Sequence, residues 1–206
     1  MRFARLLGLL VAFCGITAVL PAQVIISLPT DLRLAGATVI DFQSVSTGLY
    51  NSLTLSGVTF SASPNFTVDS SYAGNYNTVG QSINNNQGNV PQLNIDFSTP
   101  VSAFGFNFGA SDVVWTLSAY DSSSTLLASM TIDPTRSSNA GDFFGLAPAS
   151  GAITHVTVVA ASGGDWIFVD NLRFTTTTVP EPPVAVLLGM GVLGLGLFRR
   201  FRRAAA

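Results

Sequence analysis

The chain holds a single histidine, His155, so any Ser-His-Asp site would have to use it. It stands in Ile153-Thr154-His155-Val156-Thr157-Val158-Val159, an alternating run that puts Val156 and Val158 on one face and His155 on the other. A solvent-facing strand histidine accounts for that placement without a catalytic role. No Gly-x-Ser-x-Gly or His-Glu-x-x-His pattern occurs. Between residues 23 and 178 there is no glutamate, and a glycosidase pair would therefore need two aspartates. Most aspartates of that stretch fall at turns, where they cap backbone N–H groups. A hydrolase using aspartates or His155 is thus the third of three readings.

Two other chemistries need placing. Calcium takes carboxylate and carbonyl oxygens, and Asp41 in the first clear strand could meet Asp170 and Asn171 in the last. No Asp-x-Asp-x-Asp-Gly loop supports it, and aspartates on edge strands explain the same residues. Sugar binding uses exposed aromatic rings beside carboxylates or amides. Tyr50, Tyr72, Tyr76 and Trp166, with Asp165, are the candidates, whereas Trp115 and the Phe104–Phe108 series suit a core.

These residues must be positioned by strands. Leu93, Ile95 and Phe97 alternate with Gln92, Asn94 and Asp96, as on a half-buried strand. Phe104, Phe106 and Phe108 alternate with Gly105, Asn107 and Gly109, and further sets run through Trp115–Ala119, Leu126–Ile132, Val156–Val158 and Trp166–Phe174. Val39-Ile40-Asp41-Phe42 opens a strand. The phase of Leu53 and Leu55 shifts at Ser56-Gly57 before Val58 and Phe60, which predicts a β-bulge. Tyr72–Asn89, rich in Asn, Gly and Gln, reads as one long surface loop. About eight short strands joined by polar turns predict an all-β, jelly-roll-like antiparallel β-sandwich over residues 23–175.

The formal charge of −2 averages two populations. Residues 23–178 carry ten aspartates against Arg33, Arg136 and Arg173, and the chain has no lysine. A body this acidic argues against nucleic acid as a partner. The only cysteine, Cys14, lies in the first apolar run, so no disulfide is possible within the body.

The ends follow other rules. Arg2 and Arg5 precede the apolar run Leu6–Leu20 and Pro21-Ala22, which is the order of a secretory signal peptide over 1–22. Bulky Phe13 before Cys14 speaks against a lipidation site. Residues 176–183 form a polar, proline-rich linker containing Val179-Pro180-Glu181-Pro182. Val184–Phe198 is wholly apolar and predicts a transmembrane helix of about 22 Å, short of the roughly 30 Å hydrocarbon core, so flanking residues or local thinning must supply the rest. Arg199, Arg200, Arg202 and Arg203 in the basic tail 199–206 predict a cytoplasmic C-terminus, hence a single pass with the body facing outward. Gly189-Met190-Gly191-Val192-Leu193-Gly194 matches the dinucleotide fingerprint in letters only, since no strand precedes it and arginines end the run.

Val-Pro-Glu-Pro, an apolar helix and a terminal Arg-Arg-Phe-Arg-Arg resemble the PEP-CTERM sorting signal. The resemblance covers about 25 residues and implies an exosortase-type processing enzyme as partner, in a Gram-negative bacterium that makes exopolysaccharide. The body is similar, more weakly, to the lectin-like sandwich domains attached to such tails. That similarity is carried by Asp41-Phe42, Gly57-Val58-Thr59-Phe60, Val101–Phe108 and Phe168-Val169-Asp170-Asn171-Leu172-Arg173-Phe174. The expectation is a non-enzymatic, exported surface or matrix protein held at the envelope membrane and released on processing. Its alternative is a carbohydrate-binding module for extracellular polysaccharide.

Overall fold

Where alternation is cleanest, the strands form as expected. The computed structural model of the chain describes residues 23–85, 91–139 and 141–177. The signal segment, the Val179–Pro182 motif, the apolar run and the terminal arginines lie outside the described residues. No helix among the described residues is long and apolar enough to cross a membrane.

Among the described residues the fold has eleven strands: β1 Gln23–Ile26, β2 Thr38–Ile40, β3 Gly48–Leu55, β4 Val58–Asp69, β5 Ser82–Asn84, β6 Gln92–Gly109, β7 Trp115–Tyr120, β8 Leu126–Ile132, β9 Phe143–Pro148, β10 Ile153–Ala160 and β11 Phe168–Thr176. A short 3-10 helix, Leu32–Leu34, joins β1 to β2. All of the strand pairings are antiparallel.

The 18 residues of β6 serve two layers. Its first stretch pairs with β4 and β10, and β7 and β8 follow outward from β10. Its second stretch, from Val101, pairs with β11 and β9, which in turn carries β1. The layers meet through aromatic contacts: Phe97 lies 5.5 Å from Phe174, and Phe108 lies 6.1 Å from Trp115, ring centre to ring centre. Phe104, Phe106, Phe108, Trp115, Val156 and Val158 are all fully buried in this core. Removing such side chains from water is the main stabilising term, about 1.5–3 kcal/mol for each large one. A smaller cluster of Ile26, Leu34, Ala103, Phe143 and Ala147 lies outside it, so that the second layer is covered on both faces.

Three expectations are corrected. The Ser56-Gly57 step is a two-residue hairpin turn, not a bulge. Ser56 (φ 48°) and Gly57 (φ 78°) both take left-handed backbone, and Leu55 pairs with Val58 across them. Strand β2 stops at Ile40, because Phe42 turns to φ 59°. Finally, the span read as a loop, Tyr72–Asn89, contains the buried strand β5, wedged between β4 and β11.

Candidate functional site

At the Phe168 end of β11, the chain before it and the loop after β4 bring four rings together. Tyr72 meets Trp166 edge-on at 4.9 Å and Phe168 at 5.1 Å. Tyr76 stacks on Phe168 at 5.5 Å, its plane tilted by only 4°. Phe168 is buried, while the two tyrosines and Trp166 are half-buried. Beside them opens a cavity of about 230 Å³ lined by Tyr76, Ala110, Asp112, Arg136, Ser137 and Trp166. It offers two aromatic rings, a carboxylate, a guanidinium and a hydroxyl. The buried indole N–H of Trp166 finds no acceptor among the described residues.

Each wall is held from behind. Asn77 Nδ2 donates to the carbonyls of Phe108 (3.0 Å) and Ser138 (3.3 Å) and to Asp142 Oδ2 (3.2 Å). Asn77 Oδ1 accepts from the Gly141 N–H, and Asn107 Nδ2 donates to the Asn77 carbonyl. These bonds pin Tyr76 and Asn77, both at positive φ, against the end of β6. A Cβ at Gly109 would overlap the Tyr76 carbonyl, so this approach requires glycine. On the opposite wall, Ser111 and Thr135 exchange hydrogen bonds of 2.9–3.1 Å, and the Ser111 carbonyl accepts from the Arg136 N–H at 2.7 Å. Asn85 fixes the chain on both sides of Trp166, donating to the Asp165 carbonyl and accepting from the Ile167 N–H.

Of the five predicted sugar-contacting residues, Tyr72, Tyr76 and Trp166 come together. Asp165 does not face a ligand. It is buried, and its carboxylate accepts from the Asp112 N–H (2.8 Å), the Val113 N–H (3.4 Å) and Trp115 Nε1 (2.6 Å). It sets the Asp112 wall from inside the protein. Tyr50 is elsewhere, stacked on Phe66 at 6.0 Å with its hydroxyl donating to the Ser46 carbonyl. Asp112, Arg136 and Ser137 were not singled out from sequence, nor was Asn77. Positive φ at Arg136, in a run of turn residues, carries no sequence signal.

Asp41 and Asp170 do meet, closely enough that the Asp41 charge helps raise the Asp170 pKa. Burial is the larger cause, and together they push it up to about 6. Calcium does not fit the arrangement. Both Asp170 oxygens accept main-chain N–H groups, from Val79 (2.7 Å) and Asn171 (2.6 Å). Gln43 Nε2 stands among the carbonyls of Asp41 (2.7 Å), Val79 (2.6 Å) and Gln81 (3.3 Å), satisfying them with amide hydrogens instead of an ion. Among the described residues no group of three or more His, Cys, Asp or Glu side chains could hold a metal ion.

His155 lies on the outer face of the first layer. Its Nδ1 bonds Asp96 Oδ1 at 2.7 Å, and its ring sits 5.7 Å from that of Tyr120. No serine or threonine hydroxyl among the described residues hydrogen-bonds this imidazole.

No protein-family model matches the chain, and no curated protein matches it either. Among solved structures it is similar to a family 29 carbohydrate-binding module, with 15% identity, 71% of this chain and 99% of that one covered, and a TM-score of 0.38. It is also similar to a fucose-binding module of Streptococcus pneumoniae (10% identity, 67% and 96% covered, TM-score 0.34). A third is the lectin domain of lectinolysin in complex with Lewis B antigen (10% identity, 73% and 100% covered, TM-score 0.35). Scores this low mark distant likenesses.

Proposed function

We propose that the chain is a non-enzymatic, exported protein sorted to the cell envelope by its C-terminal segment, and that its jelly-roll-like body binds carbohydrate. The observation that carries the binding reading is the cavity between Tyr76 and Trp166. Half-buried rings supply apolar faces for the C–H surface of a sugar, and Asp112, Arg136 and Ser137 supply acceptors and donors for its hydroxyls. The walls are tied down by buried hydrogen bonds, so little freedom is lost on binding. The sorting reading rests on the ordered ends, with the signal segment 1–22, Val179-Pro180-Glu181-Pro182, the apolar run 184–198 and the terminal arginines. Its partners are the membrane, a processing enzyme of the exosortase type and extracellular polysaccharide.

Glycan-array binding of the wild type against Trp166→Ala tests the binding reading. Loss of the stacking ring should cost about 2 kcal/mol, or roughly thirtyfold in affinity. A wild type that binds nothing above an unrelated secreted sandwich, or a variant that binds equally well, removes this cavity as a sugar site.

A further inference from the structure

The turn Leu28–Asp31 and the 3-10 helix after it expose two leucines without cover: Leu28 at 61% and Leu32 at 89% of their full surface. Nothing in the helix demands this. Its buried anchor is Leu34, which packs into the outer cluster, and Asp31 caps its start by accepting from the Arg33 N–H at 2.9 Å. At this exposure Leu32 adds little to the packing of the fold, and with Leu28 it leaves apolar surface open to solvent at one end of the domain.

Place in the fold identifies a partner for that surface. The Arg33 carbonyl accepts from Thr175 Oγ1 at 3.0 Å, and the Thr177 N–H donates to the Pro100 carbonyl. The exposed leucines therefore sit at the end of β11 from which the chain leaves toward its C-terminal segment. Only six residues, and so seven Cα–Cα steps, lie between Thr177 and Val184, the first residue of the apolar run. Fully extended they reach at most about 25 Å. A domain of about 155 residues has a radius of gyration near 15 Å and is roughly 40 Å across, so this tether is shorter than the domain is wide. Only the Thr177 end can lie against a bilayer that holds the apolar run. The aromatic cavity sits at the other end of β11, roughly 30 Å away along the strand.

We infer that Leu28 and Leu32 form a membrane-seating contact, entering the interfacial region of the bilayer beside the anchor and holding the aromatic cavity outward. The inference rests on the anchored reading of the C-terminal segment. Leucines at such depth enter only the headgroup and upper acyl region, about 5–10 Å, while the flanking Arg33 lies at the level of lipid phosphates.

The full chain, made in a host without a sorting protease, carries Cys14→Ser and either Leu32→Cys or Val79→Cys, each labelled with an environment-sensitive fluorophore. Val79 is 66% exposed and sits near Asp170, in the half of β11 away from Thr177, which makes it the control. After reconstitution in phosphatidylcholine–phosphatidylglycerol vesicles, the label at 32 should shift to the blue. It should also lose about half of its emission to lipids that carry a quencher in the upper acyl chain, while the label at 79 loses almost none. Leu28→Cys gives an independent reading should a label at 32 disturb the helix. Chains that float with vesicles but leave both labels unquenched overturn the seating while the anchor stands. Chains that fail to float overturn the anchor and the seating together. A blue shift at 32 that appears without vesicles and grows with protein concentration assigns the patch to a second copy, and overturns the membrane contact.

Discussion

A side chain at position 109 would collide with the backbone of Tyr76, and the loop bearing Tyr72 and Tyr76 reaches Phe168 only because β6 ends on glycine. Gly109→Ala should therefore lift that loop, costing about 1–3 kcal/mol in a denaturant titration and weakening sugar binding in the same variant. A variant with unchanged stability would show that the loop accommodates the methyl group by sliding. Asp165 makes the complementary point. Asp165→Asn keeps the shape but offers one oxygen where three N–H groups need acceptors, and should cost about 2–4 kcal/mol with the Trp115 indole left unpaired. Near-ultraviolet circular dichroism of Trp115 would report the change, and wild-type stability would contradict the assignment. Sequence placed Asp165 on the surface because Ser162-Gly163-Gly164-Asp165 reads as a solvated turn. Its true partner, Trp115, lies fifty residues earlier, and no local pattern encodes so distant a contact. Tyr72, Tyr76 and Trp166 were legible as rings among turn residues, but their convergence depends on β5 and Asn85, which sequence left inside a loop.

At the level of elements, alternation identified strands where one face met the core and the other met solvent, as along Leu93–Phe97. It failed where both faces are covered or the run is short, which is the case for β5, with three residues all buried. The same strand region holds the strongest electrostatic feature. Asp170 is fully buried on β11, its pKa is pushed up to about 6, and its carboxylate grips the loop after β4 through the Val79 N–H. In the unfolded chain the group titrates near its ordinary 3.8, so between about pH 4 and 6 the folded state holds a proton that the unfolded state has lost. Stability should fall as pH rises through that window, by on the order of 3 kcal/mol from this group, and stay level above it. Asp31 and Asp121, held below the usual range mainly by hydrogen bonds from Arg33 and Thr125, act in the opposite sense and only at lower pH. Both lie half-buried at the surface, where such interactions weigh little. Urea midpoints from pH 4 to 7 in a chelating buffer should show the slope in the wild type and not in Asp170→Asn. Equal slopes would place the titrating group elsewhere, and a midpoint raised by added calcium would return Asp41, Asp170 and Asn171 to the role of ligands.

Across the whole molecule, charge is divided between the body and the ends of the sequence. Ten aspartates crowd the folded body while six of nine arginines sit in the two terminal segments, a separation that the near-neutral total conceals. Strand β11 runs from Phe168, beside the aromatic cavity, to Thr176, and in the sequence Val179-Pro180-Glu181-Pro182 and the apolar run follow. In the proposed single-pass reading the terminal arginines take the inner side, as the positive-inside rule requires, and residues 178–183 carry the sorting motif. If that motif is read by a sorting protease, the four terminal arginines are a temporary stop that the mature protein no longer carries. Intact-mass spectrometry of protein from cells with the protease should then find a C-terminus ahead of Val184, and protein from cells lacking it should end at Ala206. The processed form should leave the membrane fraction without detergent, since nothing apolar of spanning length remains. Arg203 retained in both strains would reduce the segment to a plain anchor, with the body displayed permanently at the bilayer surface.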